Sequence, residues 1–96
     1  MSVTIVVNFH ASEGNADRLL PLLREGRDFS RKAEGCEVLD LFRRLDDPQR
    51  FMFIERWTSI EAHHANMAQN VVAGGHLAKL MPLLVGPPDN GVIERV

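Results

Sequence analysis

Residues 36–64 read CEVLDLFRRLDDPQRFMFIERWTSIEAHH. Two apolar and β-branched runs, Cys36 to Leu45 and Arg50 to Trp57, flank Asp46-Asp47-Pro48. Acidic residues followed by proline mark a turn, so the pair predicts an antiparallel hairpin. Thr58 with Glu61 three residues later forms a capping box and predicts a helix start immediately after the hairpin. Ile60, His63, His64 and Met67 then fall at i, i+3, i+4 and i+7, the spacing of one helix face.

Upstream, Val3 to Phe9 reads as a strand rich in β-branched residues. Ser12-Glu13-Gly14-Asn15 breaks it, and Asn15 is placed to cap a helix with Asp17 in its first turn. That helix is predicted from Ala16 to about Lys32, with Leu19, Leu20, Leu22 and Leu23 inward, before Glu34-Gly35. Pro21 forfeits a backbone donor and predicts a kink or a late start. Downstream, Gly74-Gly75 interrupts the second helix, and a short helix is expected from His76 to about Leu84. Gly86-Pro87-Pro88 stops it, and Val92 to Val96 reads as a final strand. Strand, helix, strand, strand, helices, strand is the order of an α+β, ferredoxin-like βαββαβ domain with helices on one face of an antiparallel sheet.

Alternation along the strands adds an oligomeric expectation. Val3, Ile5, Val7 and Phe9 point one way, while Val6 lies among Thr4, Asn8 and His10 on the other side. Phe51, Phe53, Glu55 and Trp57 oppose Met52, Ile54 and Arg56. Both sheet faces therefore carry apolar side chains, and helices cover only one. A second copy of the chain is the simplest cover for the other face, so a homodimer is expected.

The 96 residues set one domain, residues 1–96. An apolar fraction of 45% and a charged fraction of 25% are ordinary for a globular chain. The formal net charge of -2 offers no basic field for nucleic acid. No stretch reaches the ~20 apolar residues of a membrane helix, and the N-terminus does not resemble a signal peptide. A cytoplasmic protein is expected. The lone Cys36 makes neither an internal disulfide nor a metal site by itself.

Several ordered segments together resemble one known family. They are Glu34-Gly35-Cys36, Asp46-Asp47-Pro48, Arg50-Phe51, Glu55-Arg56-Trp57, Thr58-Ser59-Ile60-Glu61-Ala62-His63, and the tail Leu80-Met81-Pro82-Leu83-Leu84-Val85-Gly86-Pro87. The set is similar to the antibiotic biosynthesis monooxygenase domain of the dimeric α/β-barrel superfamily. That resemblance implies a dimer joined through its sheets into a barrel. It also implies one of several functions: a cofactor-independent monooxygenase oxidising a quinol or polyphenol-like aromatic with O2, an isomerase of a small carbonyl or phosphosugar compound, a heme-degrading monooxygenase, or a non-catalytic dimeric binding module.

The leading expectation is the cofactor-independent monooxygenase. Such a reaction needs a base, a donor for the substrate oxygen and a dry cavity between sheet and helices. His63 is the candidate base and Asn8 the candidate oxygen holder. Trp57, Phe53, His76 and Met67 are the candidate pocket residues. Glu55 is expected to pair structurally with an arginine such as Arg43, Arg44 or Arg95. No cofactor and no metal is expected. The heme alternative runs through His76, which resembles an axial ligand in position, with Asn8 matching a strand asparagine. The tryptophan of the heme-degrading pattern falls at Asn66, a departure from it. The chain has no tyrosine, which anthrone-oxidising relatives use in their pocket.

Overall fold

A computed structural model describes residues 1–96. Four strands, β1 (Val3–His10), β2 (Cys36–Arg43), β3 (Arg50–Trp57) and β4 (Asp89–Ile93), form one sheet in the order β2-β3-β1-β4. Every neighbouring pair is antiparallel. Helices α1 (Ala16–Arg31), α2 (Ile60–Asn66) and α3 (His76–Leu80) pack on one face. The α+β ferredoxin-like expectation holds.

The register explains which residues are inside. Val7 faces Phe53 across β1 and β3, and Phe53 faces Leu41 of β2. These side chains share the helix-facing side with Ile5, Phe9, Phe51, Trp57 and Leu39, all buried. Helix α1 contributes Leu19 and Leu23, one turn apart, and both are fully buried. Leu80, Leu83 and Leu84 close the core from the C-terminal segment. The opposite face carries Val6, Met52 and Ile54 half-buried, with Phe42 and Val38 exposed at 50% and 41%. An apolar sheet face without a covering layer is thus a property of the chain.

Several local expectations need correction. Helix α1 starts at Ala16 and runs through Pro21, so the late start does not occur. Pro21 faces solvent, and its missing N–H costs a single helical bond near the helix start. Asn15 precedes α1 but makes no side-chain cap; its amide instead donates to Ser12 Oγ at 2.8 Å. Ser59, not Thr58, caps α2, its hydroxyl accepting from the Ala62 N–H at 3.1 Å. Strand β2 ends at Arg43, because Arg44 turns back to Asp46 through a two-point ion pair and Leu45 is left in solvent. The last strand is Asp89–Ile93 rather than Val92 to Val96, since Asp89 and Asn90 already pair with Asn8 and Val7.

The second helix departs furthest from the sequence reading. After Asn66 it continues as a π-helical segment, Met67–Val72, before Gly75 turns the chain at φ 83° into α3. The residue before a turn of this kind must enter the left-handed region, which glycine does without steric cost. Single π turns concentrate at functional sites because they displace side chains out of the regular helical register. Here the inward residues are His63 and Asn66, three apart, while His64 points outward. Leu80 ends α3, and Met81–Leu83 tightens into a 3-10 turn instead of extending the helix to Leu84.

Candidate active site

The chain buries five polar or charged side chains, Ser30 of α1 and, beneath the helices, Glu55, His63, Asn66 and His76. Each is exposed by only about 5%. Burying so many polar groups in a core this small is costly unless they are paired or serve a ligand.

Glu55 reaches the interior because strand alternation sends it to the same side as Phe53 and Trp57. It does not pair with Arg43, Arg44 or Arg95 as expected. Its partner is Trp57, whose indole Nε1 donates to Glu55 Oε1 at 2.8 Å. His63 Nε2 stands 3.8 Å from the same carboxylate oxygen, and its ring meets the Trp57 ring edge to face at 5.7 Å. Burial pushes the Glu55 pKa up, opposed by the Trp57 hydrogen bond. Burial, with the nearby His64, holds His63 below its ordinary value. The two shifts move an acid and a base toward each other, which eases proton exchange between them. Neither nitrogen of His63 has a hydrogen-bond partner in the chain.

Asn66 lies one turn after His63. Its amide donates to Ser30 Oγ at 3.0 Å and its carbonyl accepts from Asn70 at 2.7 Å. His76 enters from α3 and packs edge to face on Phe29 at 4.9 Å. Both of its nitrogens are buried without a partner in the chain. The ring rests on Gly26 of α1: a Cβ there would lie 2.6 Å from His76 Nε2. Burial lowers the His76 pKa, with Glu25 opposing and Lys79 assisting.

These groups border two spaces. A narrow, partly enclosed void of about 50 Å³ is lined by Phe9, Phe53, Val71 and Leu80, with Glu55, Asn66 and His76 among its polar edges. A more open groove of about 240 Å³ is lined by Ile5, Ile60, His63, His64, Met67 and Asn90, Gly91 and Val92 of β4. Met67 and Asn90 border both spaces. A benzene-sized ring needs on the order of 150 Å³, so the groove admits an aromatic ring and the void does not.

Three of the four expected pocket residues, Phe53, His76 and Met67, therefore line the void, and Met67 lines the groove as well. Trp57 does not; it is fully buried and holds Glu55 from behind. His63 is inside the fold. Asn8 is not with it: the side chain lies on the outer sheet face, pairing across the sheet with Met52. It borders a separate recess of about 400 Å³ with Arg44, Arg50 and Gly86. Its role as oxygen holder beside His63 is thus corrected by strand parity, since Val7 and Phe9 take the inward positions. Glu55, Ser30 and Asn66 join the site without having been expected there. A carboxylate within a run of alternating inward aromatics was the available signal for Glu55.

The heme alternative does not fit these residues. His76 Nε2 abuts Gly26, the void is far smaller than a porphyrin, and Asn8 faces the wrong side of the sheet. No three His, Cys, Asp or Glu side chains gather in a way that holds a metal ion. No helix is long and apolar enough to cross a membrane.

The fold recurs in solved structures at low sequence identity. A protein described as an antibiotic biosynthesis monooxygenase superposes with TM-score 0.87 at 22% identity, covering 98% of both chains. Rv0793 from Mycobacterium tuberculosis gives 0.86 at 21%, covering 100% of this chain and 96% of its own. SnoaB, a cofactor-independent oxygenase from Streptomyces nogalater, gives 0.82 at 21%, covering 98% and 92%. At such identities the likeness is one of fold. No curated protein was found to match the chain. The family model for antibiotic biosynthesis monooxygenase matches residues 2–71, from β1 through most of the π-helical segment. With that match spanning three of the four strands and the helix that carries His63, the chain belongs to the antibiotic biosynthesis monooxygenase family.

Proposed function

We propose that the protein is a cofactor-independent monooxygenase that oxidises a small quinol-like aromatic with O2. The observation that carries this reading is the buried His63–Glu55 pair, 3.8 Å apart, at the back of a groove sized for one aromatic ring. His63 is held neutral by its surroundings and is the base that takes a phenolic proton. The Glu55 carboxylate steadies the imidazolium that results, and Trp57 fixes the carboxylate. Met67 stands between groove and void, and its unbranched side chain is the easiest to displace as a substrate reaches His63.

Once deprotonated, the quinol gives one electron to O2, and the substrate radical joins superoxide at a ring carbon. Loss of that carbon's hydrogen and the outer oxygen as water leaves a new carbonyl. One oxygen atom enters the product and one leaves as water, with both pairs of electrons supplied by the substrate. The protein's part is to remove the proton, hold the anion and keep bulk water away.

We also propose that the working form is a homodimer joined through the outer sheet face. The exposed Phe42, Val38 and Ile93 beside half-buried Met52 and Ile54 support it.

The test is oxygen uptake with a panel of hydroquinones under 18O-labelled O2. One O2 consumed per quinol, with one labelled atom in the product, is expected. An isomerase would use the same base yet consume no O2. No uptake above autoxidation across the panel overturns the oxygenase reading.

A further inference from the structure

The narrow void is too small for the aromatic substrate, yet its lining is chemically distinctive. At about 50 Å³ it exceeds the ~30 Å³ share of one water and falls well short of a benzene ring. We propose that this void is the dioxygen site, and that Glu55 passes to the reduced oxygen the proton that His63 takes from the substrate. This rests on the oxygenase reading above and adds to it a place for the second reactant.

Three observations carry the proposal. The walls are mostly apolar, Phe9, Phe53, Val71 and Leu80 among them, and O2 partitions from water into such surroundings. The polar edges hold uncommitted donors. A neutral imidazole has one N–H, and neither His76 nitrogen has a partner in the chain. Asn66 uses one of its two amide hydrogens on Ser30, leaving the other. Neutral donors do not repel O2, and they stabilise the negative charge that appears when it becomes superoxide. Finally, Glu55 lines the void and stands 3.8 Å from His63, which lines the groove, so the carboxylate and the imidazole connect the two compartments.

His63 accepts the phenolic proton. The phenolate loses one electron to O2 in the void, giving a substrate radical and superoxide. The imidazolium proton passes to Glu55, so the group facing superoxide becomes a neutral acid. The carbon–oxygen bond forms between radical and superoxide, and Glu55 delivers its proton to the outer oxygen. The O–O bond then breaks as the ring carbon loses its hydrogen, water departs, and both histidine and glutamate return to their starting states.

Binding is tested without any substrate. Methyl-labelled protein is compared by NMR under O2 and under N2 pressure, because O2 is paramagnetic. Methyl relaxation at Val7 and Leu80, which line the void, is expected to rise several-fold more than at Leu19 and Leu39, which are as deeply buried but do not. Val71→Phe fills the space and should abolish the difference; Leu77→Phe is the second variant if the first does not fold. Equal relaxation at the methyls of all four residues overturns the O2 site, even if quinols are oxidised. Localised O2 in a protein that consumes none with the quinol panel supports the site and overturns the substrate reading. For turnover, Val71→Phe should raise KM for O2 about tenfold with KM for quinol unchanged. Glu55→Gln should keep the localised O2 and lose about 100-fold in kcat. Full turnover in Glu55→Gln overturns the proton delivery.

Discussion

His76 shows what a single contact does in this fold. Its ring lies directly against the backbone of Gly26, where any Cβ would approach Nε2 to 2.6 Å. Gly26→Ala is expected to push the ring into the void and to destabilise the chain by about 1–3 kcal/mol, read from the urea midpoint. The buried histidines also set a pH dependence. Each has its folded pKa depressed below the ordinary 6.5, so the unfolded chain binds the proton more readily. The stability they contribute is full above 6.5 and falls as pH drops below it. His63 faces Glu55 and His64; His76 faces Glu25 and Lys79. Glu55 acts with the opposite sign: its raised pKa gives stability that is full below 4.5 and is lost as pH rises through the folded value. His63→Leu should therefore lessen the loss of stability on acidification through 6.5, by up to about 1.4 kcal/mol per pH unit. Denaturant melts across that range check it; an unchanged slope counts against a buried neutral His63.

Element by element, hydrophobic alternation was the reliable guide. It grouped Val7 with Phe9 and Phe51 with Phe53 and gave both sheet faces apolar side chains, as the sheet has them, without deciding which face meets the helices. It failed where a single residue of offset decided the outcome. Asn8 falls on the outer face because β-strand parity is strict, and no composition signal distinguishes its side from that of Val7. The helix face through Ile60, His63 and Met67 points to the interior, and His64 turns outward as its neighbour's position requires; the π-helical segment after Asn66 had no sequence signal. Both Thr58 and Ser59 are capping residue types, and only the backbone decides between them. Ser59 takes the extended geometry and accepts from Ala62. Ser59→Ala should cost about 1 kcal/mol and Thr58→Ala clearly less, by thermal melts at matched conditions. Equal losses would return the cap to Thr58. Glu55 was legible as an inward carboxylate, but its partner was not, because Trp57 two residues along and His63 on another element meet it only after folding.

At the scale of the whole molecule, the helices account for one side of the sheet and leave Met52, Ile54, Phe42 and Val38 on the other. Ile54 lies on the central strand β3 of that face, so a charge there opposes any sheet-to-sheet contact without entering the core. Ile54→Arg should convert a micromolar dimer into a monomer in sedimentation while leaving the helix-side melt unimpaired. A wild-type monomer at the same concentration would leave the outer face without its proposed partner. The two compartments beneath the helices are a groove beside His63 and a void beside Glu55, and the proposed oxygenation assigns the quinol to the first and O2 to the second. The most direct measurement is the oxygen uptake of wild type and His63→Gln with the same hydroquinone. If His63 is the base, uptake is well above autoxidation in the wild type and falls about 100-fold or more in a folded His63→Gln, the usual range for removing a general base. Uptake that survives the substitution unchanged would contradict that role.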